Sequence, residues 1–464
     1  MKVCFFKFFF FLFLSFQFAL NQKGVLILPF KKELPNLKDT SPNNVIYPKM
    51  IDNLIMTELR IGTEPQTIKL KIELESYLFY IAGQNSKNKI KFNEGQSNTY
   101  KQIENKNLSF QVSNINEGVF SSDYIYFNQN SKEKYNTNFL LAIDTTIDES
   151  GGLIGFNMEE SLTISYSQFN FMNELKRIGL IKNNYFTINY VDNNSGNIII
   201  GDLPHNIDNK YKEKYFKDTY SKLENYDLTW NLKIDNIFIA DKNNSNDKVN
   251  VGESISAYLR VEKNIIEGTE RYRKILLSSF MSEYIGKKLC FEVNTQYYFT
   301  YYCKKEVDIS KLKNIYFYSN DLDFTFELTY KDLFYYNEND GNNYFLIVFN
   351  NNLDDDTDYL NYYVWILGEP IFKKYQFVFN KDTKRLGIYK FYDETSDGNS
   401  SEEGKGWFAR NKWYLIMIIL LLILLTGLSV MVYKYLKNMP KRKKKANELI
   451  DDEYEYNGEK NNIN

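Results

Sequence analysis

The chain has 464 residues, with 57 basic and 59 acidic side chains and a formal charge of −2, so no global field draws it to nucleic acid. It is long enough for two lobes with separate cores. Its 38 Tyr and 36 Phe against 8 Pro suit a sheet-rich protein, although the wealth of Asn, Lys and Ile also reads as coding bias. A single histidine, His205, excludes a His-rich metal site and argues against a Ser-His triad. No zinc spacing and no phosphate-binding glycine loop occurs, and Asp354-Asp355-Asp356 reads as a solvated loop before it reads as a Ca²⁺ site. No metal and no cofactor are expected.

Residues 1–20 carry Lys2 and Lys7 ahead of a phenylalanine-rich apolar run, then a small residue at Ala19, the pattern of a secretory signal peptide. From Leu54 the apolar positions alternate at period two, through Met56, Leu59 and Ile61 and then Ile68, Leu70 and Ile72, which predicts a half-buried hairpin. Ile61-Gly62-Thr63, Pro65-Gln66 and the loop Glu73-Leu74-Glu75-Ser76-Tyr77 before Leu78-Phe79-Tyr80-Ile81-Ala82 stand in a familiar order. This stretch resembles the first catalytic hairpin of the pepsin-like aspartic proteases. With that resemblance, residues 21–50, whose apolar run precedes Pro29, Phe30 and two lysines, read either as a prosegment remnant or as a stable N-terminal strand.

Further motifs follow in the family's order. Phe92-Asn93-Glu94 through Ser97-Asn98-Thr99-Tyr100 resembles F-D-P-S-x-S-S-T-Y, and Glu117-Gly118 to Asp123 resembles the segment after the flap, which puts Val112 at the flap tyrosine's position. Gly151-Gly152-Leu153-Ile154-Gly155-Phe156 resembles D-G-I-L-G-L, with Gly151 in place of Asp; a short helix at Phe171-Met172-Asn173-Glu174-Leu175 and a strand at Ser195-Gly196-Asn197-Ile198-Ile199-Ile200 follow. Trp230 opens the second lobe. Trp365-Ile366-Leu367-Gly368-Glu369-Pro370-Ile371-Phe372, with Val378-Phe379-Asn380 and Leu386-Gly387-Ile388-Tyr389, is the most specific match. The resemblance covers roughly residues 50–392 and implies a mainly β, bilobal pepsin-like fold with an inter-lobe cleft, the lobes being 51–205 and 206–392.

The family's chemistry implies two aspartates, one per lobe, sharing a proton and activating a water between them. Glu73 stands at the first position, one methylene too long, and Glu75 replaces the tight-turn glycine. For the second loop the resemblance points to Val249 through Ser256, with Gly252 at the catalytic position, 179 residues after Glu73, and Glu253 as the fallback carboxylate. Neither lobe keeps Asp-Thr-Gly, and the flap position is Val112.

Residues 413–433 form a run of 21 without a charge, enough at about 1.5 Å per residue to cross a ~30 Å hydrocarbon core. The lysines and Arg442 that follow outnumber Arg410 and Lys412 before it, so the C-terminal tail, 434–464, is expected in the cytosol behind a Ser/Gly/Glu-rich stalk at 393–412. The ectodomain then belongs to the secretory pathway of a single-pass type I membrane protein, at the cell surface or in endolysosomes. In such a lumen Cys290 and Cys303 suit one disulfide, two free thiols being the alternative. Asn107, Asn193, Asn243 and Asn399 begin N-x-S sequons. The sequence thus suggests a non-catalytic relative holding an extended peptide or protein in its cleft; an atypical active endopeptidase and a structural surface glycoprotein are the alternatives.

Overall fold

The structure, a computed structural model, describes residues 24–33, 54–104, 108–112, 115–128, 132–146, 148–158, 168–208, 210–221, 229–241, 244–295, 298–338, 340–350 and 364–390. The expected signal peptide, stalk, membrane span and tail lie outside these, with Asn107, Asn243, Asn399 and Asp354-Asp355-Asp356. Among the described residues no helix is long and apolar enough to cross a membrane.

The alternation from Leu54 becomes a hairpin. Strand β1 (Leu26–Glu33) precedes β2 (Leu54–Ile61), which pairs antiparallel with β3 (Gln66–Glu73) in the register Leu59 opposite Ile68. Ile68, Leu70 and Ile72 are buried as period two requires. In β2, however, Ile55, Met56 and Thr57 are buried in succession while Leu54 is only half-buried, because both faces are covered there and Thr57 Oγ1 donates to Pro29 O of β1 at 2.8 Å. At the hairpin turn Gly62 has φ +97°, a region that favours glycine. Thr63 N donates to Ser97 Oγ at 3.2 Å, Asn98 N donates to Thr63 Oγ1 at 3.0 Å, and Thr99 Oγ1 donates to the buried Asp123. Three of the motifs that carry the resemblance therefore interlock.

The first lobe continues through β4 (Phe79–Ala82), β5 (Lys101–Gln102), β6 (Leu108–Val112), β7 (Ile115–Tyr126), β8 (Tyr135–Thr145) and β9 (Gly152–Gly155), helix α1 (Phe171–Arg177), β10 (Tyr185–Tyr190) and β11 (Ser195–Ile200). The second holds β12 (Phe216–Tyr220), β13 (Asn231–Asp241), β14 (Asn244–Leu259), β15 (Ile266–Thr269), helix α2 (Glu270–Phe280), β16 (Cys290–Asn294), β17 (Tyr298–Cys303), β18 (Asn314–Ser319) and β19 (Phe324–Leu328). It closes with helix α3 (Tyr330–Leu333), β20 (Phe334–Asn337), β21 (Asn342–Phe345), β22 (Ile347–Asn350), β23 (Val364–Leu367), helix α4 (Glu369–Lys374), β24 (Phe377–Asn380) and β25 (Arg385–Tyr389). Two sheets result, so the chain is mainly β and bilobal. One runs β12-β25-β24-β10-β11-β1-β2-β3-β9-β4-β8-β7-β5 with β6 on β7; the other runs β19-β18-β13-β14-β23-β15-β22-β17-β21-β20 with β16 on β17.

The stretch β12-β25-β24-β10-β11-β1 takes strands from both halves of the chain and joins the lobes. At its centre Phe186 stacks on Phe379 with centroids 4.6 Å apart, Trp230 packs edge-on against both, and Trp230 Nε1 donates to Phe156 O at 2.8 Å. β1 fills a place between β11 and β2, and its Lys32 forms a 2.7 Å ion pair with the buried Glu369 of α4. Cys290 and Cys303 lie opposite each other on β16 and β17, joined as a disulfide.

Candidate functional site

Each lobe sends one loop to the floor between them, from the end of a strand held by a parallel neighbour. In the first lobe β3 runs parallel to β9, with Ile72 beside Ile154 and Glu73 beside Gly155. In the second, β14 runs parallel to β23 with Leu259 beside Leu367, and Arg260 N donates to Leu367 O at 3.1 Å. The glycine at the end of each neighbour strand, Gly155 closing β9 and Gly368 following β23, fixes the correspondence. A Cβ on Gly155 would lie 2.3 Å from Ser76 O, and one on Gly368 would lie 2.4 Å from Lys263 O. Ser76 is three residues past Glu73 and Lys263 three past Arg260, so Glu73-Leu74-Glu75 and Arg260-Val261-Glu262 are structural counterparts.

This corrects the register read from the sequence. Gly252 lies inside β14, opposite Ile237 of β13, where a Cβ would come within 2.8 Å of the Tyr272 ring; its role there is to admit that ring of α2. Glu253 is exposed, opposite Asn236, and accepts from Asn250 Nδ2. Neither residue reaches the loop crossing, because the β13–β14 hairpin is longer than the resemblance implies and carries β14 on to Leu259. Val112 ends the β6–β7 hairpin, paired with Ile115; the turn between them lies outside the described residues. Asn193 is exposed in the β10–β11 turn.

The counterpart loops touch through charge. Arg260 Nη1 lies 2.7 Å from Glu75 Oε2 of the other lobe and 3.4 Å from Glu262 Oε1. Leu74 N donates to Glu262 Oε2 at 3.2 Å, again between lobes. Glu73 Oε1 is taken by Lys71 Nζ at 2.6 Å, two residues back on the same face of β3. Leu74 and Val261, where the family has threonines bracing the loops, are 1% and 0% exposed and brace them by packing. Burial pushes the Glu262 carboxyl up to about 7; Arg260 opposes the rise and the like charge of Glu73 adds to it. Burial disfavours the charge on Lys71, but Glu73 outweighs it and the ammonium is held above its ordinary range.

Arg260 and Glu262 are the site residues that the sequence reading passed over. A signal for them exists. Ile72-Glu73-Leu74-Glu75 and Leu259-Arg260-Val261-Glu262 share the pattern apolar, charged, apolar, Glu, each at the end of an alternating apolar run. Chemically the arrangement is a chain of ion pairs. A guanidinium cannot give up its proton in a protein, so Arg260 cannot take the role of the second aspartate. Among the described residues no group of His, Cys, Asp and Glu side chains is placed to hold a metal ion.

No curated protein matches the chain significantly. The model of the eukaryotic aspartyl protease family does match, over residues 55–391, from β2 to two residues past β25. With two lobes, a sheet shared between them and a loop from each lobe meeting at the floor, the chain belongs to the eukaryotic aspartyl protease family.

Proposed function

We propose that the chain is a membrane-anchored, secretory-pathway member of this family that has exchanged hydrolysis for binding, and that an extended peptide or protein segment occupies the trough between its lobes. The observation that carries the reading is Arg260. It stands where the second lobe's acid belongs and is tied to Glu75 and Glu262, while Glu73 is tied to Lys71. A water between the loops would meet a guanidinium on one side and an already paired carboxylate on the other. Main-chain hydrogen bonding to an extended peptide needs neither acid. The apolar run at 413–433 with its basic flank supports the anchor.

The test is turnover of an unfolded protein substrate between about pH 3 and 5, the range in which carboxylate dyads of this family share a proton. No hydrolysis above a blank is expected, together with retention of peptides from a lumenal library by the same preparation. Hydrolysis that a statine-type inhibitor blocks and Glu73→Gln abolishes would overturn it. One observation favours the alternative of an atypical endopeptidase: Glu262 keeps a proton near neutrality and feels Glu73, as one member of a dyad does. Against it, Glu262 is buried and its oxygens already face Leu74 N and Arg260. Under that alternative Glu262→Gln would abolish turnover as completely as Glu73→Gln.

A further inference from the structure

A cavity of about 550 Å³ opens where β1 and the β10–β11 turn face α3, β20 and α4, within the size range of small-ligand sites. Lys32, Lys331, Lys373 and Lys374 line it against two carboxylates, Asp332 and Glu369, a formal excess of two positive charges. Both carboxylates are already engaged. Glu369, 3% exposed, receives Lys32 Nζ at 2.7 Å and also Lys373. Asp332 Oδ2 accepts from Thr329 N at 2.8 Å and Thr329 Oγ1 at 2.9 Å, capping α3, as well as from Lys374 at 2.9 Å. An ammonium carries three donors and a carboxylate only acceptors. With these pairs made, the wall still presents N–H groups in excess of the oxygens that receive them. Burial lowers the pKa of Lys32; Glu369 opposes this and the neighbouring Lys373 adds to it, as befits a pocket short of negative charge. At the mouth Tyr335 and Tyr336 lie 53% and 52% exposed, flat faces with no core to fill.

We propose that this cavity binds a phosphate or sulfate monoester carried on a sugar ring, its oxygens taking the lysine donors and its ring lying against Tyr335 or Tyr336. Lysine is a point-charge partner for such oxygens, and aromatic rims suit a sugar's apolar face. The site shares no ion pair with the loop crossing, so it stands whether or not the cleft hydrolyses peptides.

The test is calorimetric titration of the purified full-length chain with glucose 6-phosphate, glucose 6-sulfate, glucose and inorganic phosphate. Saturable one-to-one binding of at least one ester is expected, tighter than inorganic phosphate and absent for glucose; which ester binds identifies the source. Lys331→Gln, at an exposed position, should weaken the ester roughly tenfold, the loss of one charge-assisted hydrogen bond. Tyr335→Ala or Tyr336→Ala should weaken the ester and leave inorganic phosphate unchanged, and a loss at neither position would overturn the proposal. No saturation by either ester at low-millimolar concentration, equal binding by glucose or inorganic phosphate, or an unaffected Lys331→Gln would each overturn the proposal.

Discussion

The two loops at the lobe junction have one backbone plan and opposite electrostatics. In the first, Glu75 reaches outward with its side chain 65% exposed; in the second, Arg260 and Glu262 are 12% and 8% exposed. A pair of acids held between lobes repel and so must share a proton. Replacing one of them by arginine turns that repulsion into attraction, and the proton has nothing left to bridge. The comparison teaches that a fold can keep the closeness of its two loops while reversing what the closeness does: here it ties the lobes together.

The severest way to break the comparison is to remove the cation. Arg260→Ala leaves Glu262 buried without its counter-charge and Glu75 without its partner, and breaking a buried pair from one side costs about 3–5 kcal/mol. Chemical denaturation above about pH 8, where Glu262 is ionised in the wild type, should show that loss, with a fall in melting temperature. A loss below about 1 kcal/mol would mean that the pairs decorate a junction held by Leu74, Val261 and the shared sheet alone.

Glu262 supplies the next effect, and its sign follows from its raised pKa. Below its ordinary value of 4.5 the carboxyl is protonated in folded and unfolded chains alike. Between there and about 7 the folded chain holds a proton that the unfolded chain releases, so stability falls as pH rises through this window. Above it the full penalty applies, roughly 3 kcal/mol at about 1.4 kcal/mol per pKa unit. The cost of burying the Glu262 charge is therefore smallest at acidic pH. Glu262→Gln keeps an acceptor for Leu74 N and cannot ionise, so its unfolding free energy should be flatter than the wild type's between pH 5 and 7.5. Parallel slopes for the two proteins would show that Glu262 does not titrate in that range.

How much of this was legible beforehand differs between the same two loops. The first was readable because Gly62-Thr63 and Ser97-Asn98-Thr99 make side-chain bonds that leave their types in the sequence, and because the apolar alternation through Ile68, Leu70 and Ile72 leads directly to Glu73. The glycines Gly155 and Gly368 left equally plain marks, since a Cβ at either would strike a loop carbonyl. The second loop was misplaced because β14 runs on past Gly252, through Ile255 and Ala257 to Leu259, so the strand end at Arg260 lies eight residues beyond the position that the resemblance implied. The apolar, charged, apolar, Glu pattern at 259–262 marks the spot, but the parallel pairing of Leu259 with Leu367, 108 residues away, sets the strand end, and a contact of that range is not read from neighbouring residues. The cavity beside α4 was illegible for the same reason, since its lysines come from β1, α3 and α4.

The smallest effect is also the sharpest test of which lobe bears the load. Glu75 meets Arg260 from a side chain 65% exposed, so Glu75→Gln should cost no more than about 1 kcal/mol, and about 0.5 M salt should erase it. The Arg260→Ala loss should survive the same salt, because the charge it strands is the buried one. A double-mutant cycle between the two positions then separates the exposed bridge from the buried pair. If their coupling exceeded about 2 kcal/mol, the exposed carboxylate would be carrying the junction, and the contrast between a solvated loop and a buried one would have to be redrawn.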